Sequence, residues 1–201
     1  RCLDLLGVPH ANKIPKIFLK DEDVLFGESF LKGSIVDSKK MLVAVHPGSG
    51  SRQKCWPMDR FAELILWLKE EMDTQILLIS GPADTEIVEE LRVKVRDKFI
   101  LVDHLPVPIL AAIIKRCKLF VGNDSGITHL AAAGGTRTVA IFGPTDPNTW
   151  GPRGEQVKIL YKKSPCSLCP PDTRRNCFSQ TCLENVTVED VISEIRYMVT
   201  V

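Results

Sequence analysis

No apolar run in the 201 residues comes near the roughly 20 that a bilayer-spanning helix needs. Nor does one sign of charge dominate, since 26 Lys and Arg face 25 Asp and Glu for a net charge of +1. The first absence excludes a helical membrane span. The second removes the global field that nucleic-acid binding draws on. Nor does the start read as a secretory leader: Arg1-Cys2-Leu3-Asp4, followed by Pro9, His10, Lys13 and Pro15, lacks the basic-then-apolar pattern. The chain does not begin with Met, and it reads as a fragment or a processed piece. What remains, at 44% hydrophobic and 25% charged, is an ordinary globular composition long enough for one large domain.

The seven cysteines argue against a disulfide framework, because their number is odd and the start does not read as an export signal. Cys2, Cys55 and Cys117 stand alone, and Cys117 reads as a small core residue late in an apolar helix. Cys166, Cys169, Cys177 and Cys182 lie close together with a CxxC at their head. That count could serve a structural zinc. Free or partly oxidised thiols in a reducing cytosol are the preferred reading.

Residues 1–40 are mixed and read as a linker segment, with a short helix over Asp21 to Leu31. Regular patterning begins at Met41. Leu42-Val43-Ala44-Val45 is a continuous apolar run, as in a strand buried on both faces. Pro57 then suits a first helical position, and Phe61, Leu64, Ile65, Leu68 and Met72 share one helical face. The unit repeats. Strands are expected at Ile76–Ile79, Phe99–Val102, Leu119–Val121 and Thr138–Phe142, with an edge strand at Val157–Leu160. Between them fall a helix capped by Asp84 with Ile87, Leu91 and Val95 inward, and another lined by Ile109, Leu110, Ile113 and Ile114. A last helix opens with the capping box Thr187-Val-Glu-Asp190 and turns Val188, Val191, Ile192, Ile195 and Val199 inward. Alternation of this kind predicts an α/β, Rossmann-like parallel sheet with helices on both faces over residues 41–201. Ligands of such sheets sit beyond the carboxyl ends of the strands, where the strand order reverses.

Three of the loops at that edge carry chemistry. In His46-Pro-Gly-Ser-Gly-Ser-Arg-Gln-Lys-Cys-Trp56, Gly48 and Gly50 allow close backbone approach, and the hydroxyls with Lys54 suit an anion. Position 53 is Gln where a dinucleotide fingerprint needs Gly, and no Gly precedes Lys54 as in a Walker loop. A plain strand-to-helix connection with a solvated lysine remains open beside phosphate contact. The second loop, Gly122-Asn-Asp-Ser-Gly126, puts its serine fourth rather than third, which fails the nucleophile-elbow register. Asp124 and His129 lack a third nearby ligand for a metal. A turn into a small-residue helix is left, whose free N–H groups favour phosphate. His129, in its first turn, could equally be a satisfied core histidine. Phe142-Gly-Pro-Thr-Asp-Pro147 is the third turn.

His46-Pro-Gly-Ser…Lys54-x-Trp56-Pro57, Ser80-Gly-Pro-Ala-Asp84, Val121-Gly-Asn-Asp-Ser-Gly-Ile-Thr-His129-Leu-Ala-Ala and Phe142-Gly-Pro-Thr145 follow in one order. Together they resemble the carboxy-terminal half of the ADP-heptose:lipopolysaccharide heptosyltransferase family, over about residues 41–200. The resemblance implies one half of a GT-B glycosyltransferase, with residues 1–40 as the inter-domain stretch and residues 41–201 binding a nucleotide-sugar donor. By position, Lys54 would contact the donor diphosphate and offset charge on the leaving ADP. Asp124, Ser125 and Gly126 would hold phosphate and sugar, with the Asp124 carboxylate better suited to sugar hydroxyls. Ser49, Gly50, Asp84 and His129 would be neighbours, and Val107 an apolar contact near the adenine.

The same resemblance implies inverting transfer of heptose from ADP-heptose to the lipopolysaccharide inner core, with no metal or other cofactor required. It further implies a lipid-linked saccharide acceptor, no nucleic-acid partner, and a cytoplasmic setting that admits association with the inner membrane. The family's acceptor site and general base lie in an amino-terminal domain for which this chain has no room, so the chain is expected to bind donor without turning over. Two alternatives stand beside this. One is a GT-B enzyme using another nucleotide sugar, such as a UDP-sugar; the other is a non-catalytic nucleotide-binding module.

Overall fold

The computed structural model describes residues 14–34, 37, 39–96, 99–166, 168–177 and 179–200. Helix α1 (Asp21–Gly33) precedes strand β1 (Met41–His46), a 3-10 turn (Arg52–Lys54) and α2 (Met58–Glu71). Then come β2 (Thr74–Ser80), α3 (Thr85–Val95), β3 (Ile100–Asp103) and α4 (Val107–Lys115). The second half is β4 (Leu119–Asn123), α5 (Gly126–Ala133), β5 (Arg137–Phe142), α6 (Pro147–Trp150) and β6 (Val157–Tyr161). Short helices α7 (Pro171–Arg175) and α8 (Thr181–Glu184) lead to α9 (Val188–Thr200).

All described strand pairs are parallel, in the order β3-β2-β1-β4-β5-β6. The chain winds outward from β1 to β3, returns, and winds outward again from β4. The order therefore reverses between β1 and β4, where Val45 lies beside Val121 and His46 beside Gly122. A crevice opens there because the crossovers leave to opposite sides.

Successive strand residues point to opposite faces, and the two faces bury different helices. Val43, Val45, Ile76, Leu78, Val121 and Ile141 pack with α2, α3 and α9. Ala44, Leu77, Ile79 and Phe120 pack with α4, α5 and Leu31 of α1. Gly27 of α1 lies so close to Ala112 that a Cβ on it would stand 3.1 Å from the alanine methyl. Residues 21–33 thus share the core of the sheet. Each fully buried leucine or isoleucine contributes about 1.5–3 kcal/mol by leaving water.

The expected strands and long helices are present, with differences that have physical causes. Pro57 stands one residue before α2 and its carbonyl accepts the Phe61 N–H at 3.2 Å. In α3 the buried positions are Val88, Leu91 and Val95, with Ile87 only half-buried, so the helix is turned slightly from the expected face. In α9 Met198 takes the buried place assigned to Val199. The capping box forms: Thr187 N–H donates to Asp190 at 2.8 Å and Asp190 N–H to the Thr187 hydroxyl at 3.2 Å.

Candidate functional site

Trp56 anchors the first rim loop. It is fully buried, its backbone N–H donates to Asn123 Oδ1 at 2.9 Å, and its indole N–H donates to the Val186 carbonyl at 2.8 Å. Asn123, also fully buried at the end of β4, donates in turn to the Pro47 carbonyl at 2.6 Å. A buried amide satisfied on both sides is costly to break. The β1 loop and the β4 corner are held together as one rigid piece.

Two polar groups sit on that piece. In the first, His46 closes β1 with only 3% of its surface exposed. Its Nε2 lies 3.1 Å from Asp84 Oδ2, and its Nδ1 lies 3.2 Å from the Ser125 hydroxyl. Asp84 Oδ2 also accepts the Gly81 N–H at 2.8 Å. Burial works to raise the Asp84 carboxyl, but the hydrogen bond and charge of His46, with the Gly81 N–H, hold it below its ordinary value. Gly48 must lack a side chain, because a Cβ there would fall inside the Asp84 carboxylate. Asp84 stands at the N-cap position of α3, yet its side chain caps no helical N–H. The expected capping role is corrected: the carboxylate turns away from the helix to His46 and the Gly81 N–H, which engage it from two sides.

In the second group, Lys54 Nζ pairs with Asp124 Oδ2 at 2.8 Å. Thr145, on the loop after β5, donates to the same oxygen at 2.7 Å, and the Ser49 hydroxyl donates to the Asp124 carbonyl at 2.8 Å. The three rim loops marked out by their glycines therefore meet at Asp124. Ser125 caps α5 by accepting the Thr128 N–H. Gly126 opens that helix on the surface.

A cavity of about 560 Å³ lies along the first group. One end is polar, formed by His46, Ser49, Gly50, Asp84, Ser125 and Gly126. On the β3 side the cavity is mostly apolar, with Leu105, Val107 and Leu110 beside His104, and Ile127 and Leu130 of α5 add to the lining. Val107 is 62% exposed into it. Of the expected site residues, Ser49, Gly50, Asp84, Val107, Ser125 and Gly126 line this cavity. Lys54 and Asp124 stand behind its polar end as an ion pair. His129 follows one turn along α5, exposed and outside the lining. The buried-histidine alternative for His129 is corrected, since α5 turns Thr128, Ala131 and Ala132 inward. His46, Thr145 and the apolar lining other than Val107 went unassigned in the sequence. The signal available for His46 was its place as the last residue of a buried strand at the ligand edge.

The four clustered cysteines do gather on the same side. Cys169 N–H donates to the Pro144 carbonyl at 3.0 Å, and the Cys182 sulfur packs against Gly143. Burial, reinforced by the neighbouring thiols, pushes Cys182 up to about 11. Burial likewise raises Cys169. Among the described residues, however, no group of three or more His, Cys, Asp or Glu is arranged to hold a metal ion. The zinc reading is not supported by this geometry. Cys117 is buried as expected, and burial lifts its thiol to about 12.

The family model described as glycosyltransferase family 9 (heptosyltransferase) matches residues 3–180. Lipooligosaccharide heptosyltransferase 2 of Campylobacter jejuni is 28% identical over 90% of this chain and 58% of its own length. Lipopolysaccharide heptosyltransferase 3 of Escherichia coli K12 is 33% identical over 59% of this chain and 36% of its own. Among solved structures, a glycosyl transferase family 9 protein of Veillonella parvula superposes with a TM-score of 0.83 at 24% identity, covering 98% of this chain and 57% of that one. E. coli heptosyltransferase WaaC with ADP superposes with a TM-score of 0.66 at 20% identity, covering 98% and 53%. At these identities the solved structures speak to the fold, which they share. The chain spans less than two thirds of the length of these relatives.

Proposed function

Because the chain belongs to glycosyltransferase family 9, the heptosyltransferases, we propose that residues 41–201 bind the nucleotide-sugar donor of a heptosyl transfer to the lipopolysaccharide inner core. The observation that carries this reading is the polarity of the cavity. Its apolar end by Leu105, Val107 and Leu110 suits a nucleobase. Asp84, an acceptor-only group, suits ribose hydroxyls. The tip of α5 at Gly126 offers N–H groups and a helix dipole to a diphosphate. Lys54 stands behind that tip, paired with Asp124.

A donor lying in this order puts its β-phosphate toward Lys54 and its sugar toward Asp124. As the acceptor oxygen bonds to the anomeric carbon and the bond to the diphosphate breaks, negative charge builds on the leaving nucleotide. The α5 amides face that charge without having to reorganise, and Lys54 meets it by exchanging Asp124 for a phosphate oxygen. Asp124, turned to sugar hydroxyls, orients the anomeric centre. The acceptor must lose its proton to a base. Asp84 is the one carboxylate among the described residues lining the cavity, and it is engaged by His46 and Gly81. The part assigned to residues 41–201 is therefore donor binding, with the acceptor site and its base proposed to lie outside them.

The donor nucleotide is ADP, by likeness to the relative solved with ADP, and the donor is ADP-heptose. No described helix is long and apolar enough to cross a membrane. We place the reaction in the cytoplasm, where a lipid-linked acceptor would be met at the inner membrane. Thermal unfolding with ADP, ADP-heptose, UDP and a UDP-sugar tests the reading. Adenine nucleotides at one hundred times their Kd should stabilise by about 2.7 kcal/mol, a rise in Tm of roughly 5–10 °C for a chain of this size. Selective stabilisation by the uridine compounds would move the assignment to a UDP-sugar enzyme.

A further inference from the structure

His46 takes no part in the donor contacts just described, yet it is the most buried ionisable group at the cavity wall. Its two ring nitrogens face residues 38 and 79 positions away, on two different rim loops. A carboxylate only accepts, so Nε2 carries hydrogen toward Asp84. On the other side of the ring, Nδ1 faces the Ser125 hydroxyl at 3.2 Å. The Ser125 oxygen in turn accepts the Thr128 N–H at 3.3 Å, and the Thr128 hydroxyl donates to the Asn123 carbonyl. The Ser125 hydroxyl also lies 3.1 Å from the Thr128 hydroxyl, so the imidazole joins the α5 turn to Asp84 through one shared serine. The other charged groups near it act through Asp84: His104 lies within electrostatic reach of that carboxylate, as does the Cys55 thiol.

We propose that His46 is a positioning residue, resting on the donor-binding reading above, that couples the Asp84 carboxylate to the α5 turn. Through it, the nucleoside and diphosphate ends of the donor are gripped by one connected unit. Gly48 completes the hold by packing against the carboxylate from the other side. One consequence departs from the plain expectation for Ser125. Its hydroxyl is held between His46 Nδ1 at 3.2 Å and the Thr128 hydroxyl at 3.1 Å, so it is already engaged and is not free to donate to a phosphate oxygen. That task falls to the backbone N–H groups of Gly126 and Ile127, which have no partner one turn back in the helix. Replacing Ser125 thus weakens nucleotide binding by loosening His46 rather than by removing a phosphate contact.

Calorimetric titration of the 201-residue chain with ADP tests this. His46→Gln places an amide near Nε2 and keeps the Asp84 side; His46→Asn places one near Nδ1 and keeps the Ser125 side. His46→Ala should weaken ADP binding about tenfold, the scale of one lost buried hydrogen bond. The Gln and Asn variants should fall between it and the parent, and they carry the test if the Ala variant does not fold. The decisive comparison is Ser125→Ala, which should weaken ADP binding several-fold in the parent and have no further effect beside His46→Gln. A purely structural role for His46 would leave the two effects additive, and that result overturns the inference. If the parent binds ADP and all three His46 variants bind it equally, the inference falls and donor binding stands. If the parent binds no adenine nucleotide, the donor reading falls and the inference with it.

Discussion

The two polar groups on the rim differ in how they hold their charge. His46–Asp84 is sealed, with 3% and 7% of the side chains exposed. Lys54–Asp124 is more open on its cationic side, where Lys54 is 22% exposed. A sealed pair keeps its geometry whether or not ligand is present. An open pair can exchange one partner for a phosphate oxygen, because water already screens part of its attraction. The first group is a fixed template and the second is a charge held ready for the leaving group. Preorganisation and adaptability are thus divided between neighbouring loops.

The division is broken most severely at Lys54. Lys54→Ala should weaken ADP binding by about 1.5–3 kcal/mol, the worth of a hydrogen bond to a charged group, or roughly ten- to a hundredfold in Kd by titration. It should cost less in stability than in binding, because the Thr145 hydroxyl still donates to the Asp124 carboxylate when Lys54 is gone. Equal losses in binding and stability would show that Lys54 is a structural tether like Trp56.

At Asp84 the effect should fall on stability and depend on pH. The folded carboxyl titrates below its ordinary value near 3.8. Its contribution is therefore fully present above that value and is lost as the pH falls through the lower folded pKa. Asp84→Asn should reduce the Tm at neutral pH and narrow its gap to the parent as the pH drops below about 4. A gap that stayed constant down to acid pH would mean that His46 does not hold the carboxylate ionised.

The sheet was legible because strands buried on both faces must be written as apolar runs, as in Leu42–Val45 and Ile76–Ile79. The rim loops were legible through their glycines, since a backbone that approaches a ligand or a carboxylate leaves no room for Cβ, as at Gly48. Pairings across the rim were not. Nothing in the order of residues tells that His46 meets Asp84 and Ser125, or that Lys54 meets Asp124, because these contacts are set by strand order and crossover direction. Asp84 illustrates the loss: read along the chain it is a helix cap, and read across the sheet it is the partner of a buried histidine. The face of α5 was likewise hidden in a run of small residues with little amphipathic signal, which left His129 ambiguous between core and surface.

The central claim is that the crevice between β1 and β4 holds a nucleoside diphosphate sugar along a single line. A structure determined with ADP-heptose tests this most directly. Adenine should lie along Leu105, Val107 and Leu110, ribose hydroxyls on Asp84, the diphosphate at the Gly126 and Ile127 amides with Lys54, and His46 unmoved between Asp84 and Ser125. A diphosphate bound away from the α5 tip, or a nucleobase outside the apolar end of the cavity, would contradict it.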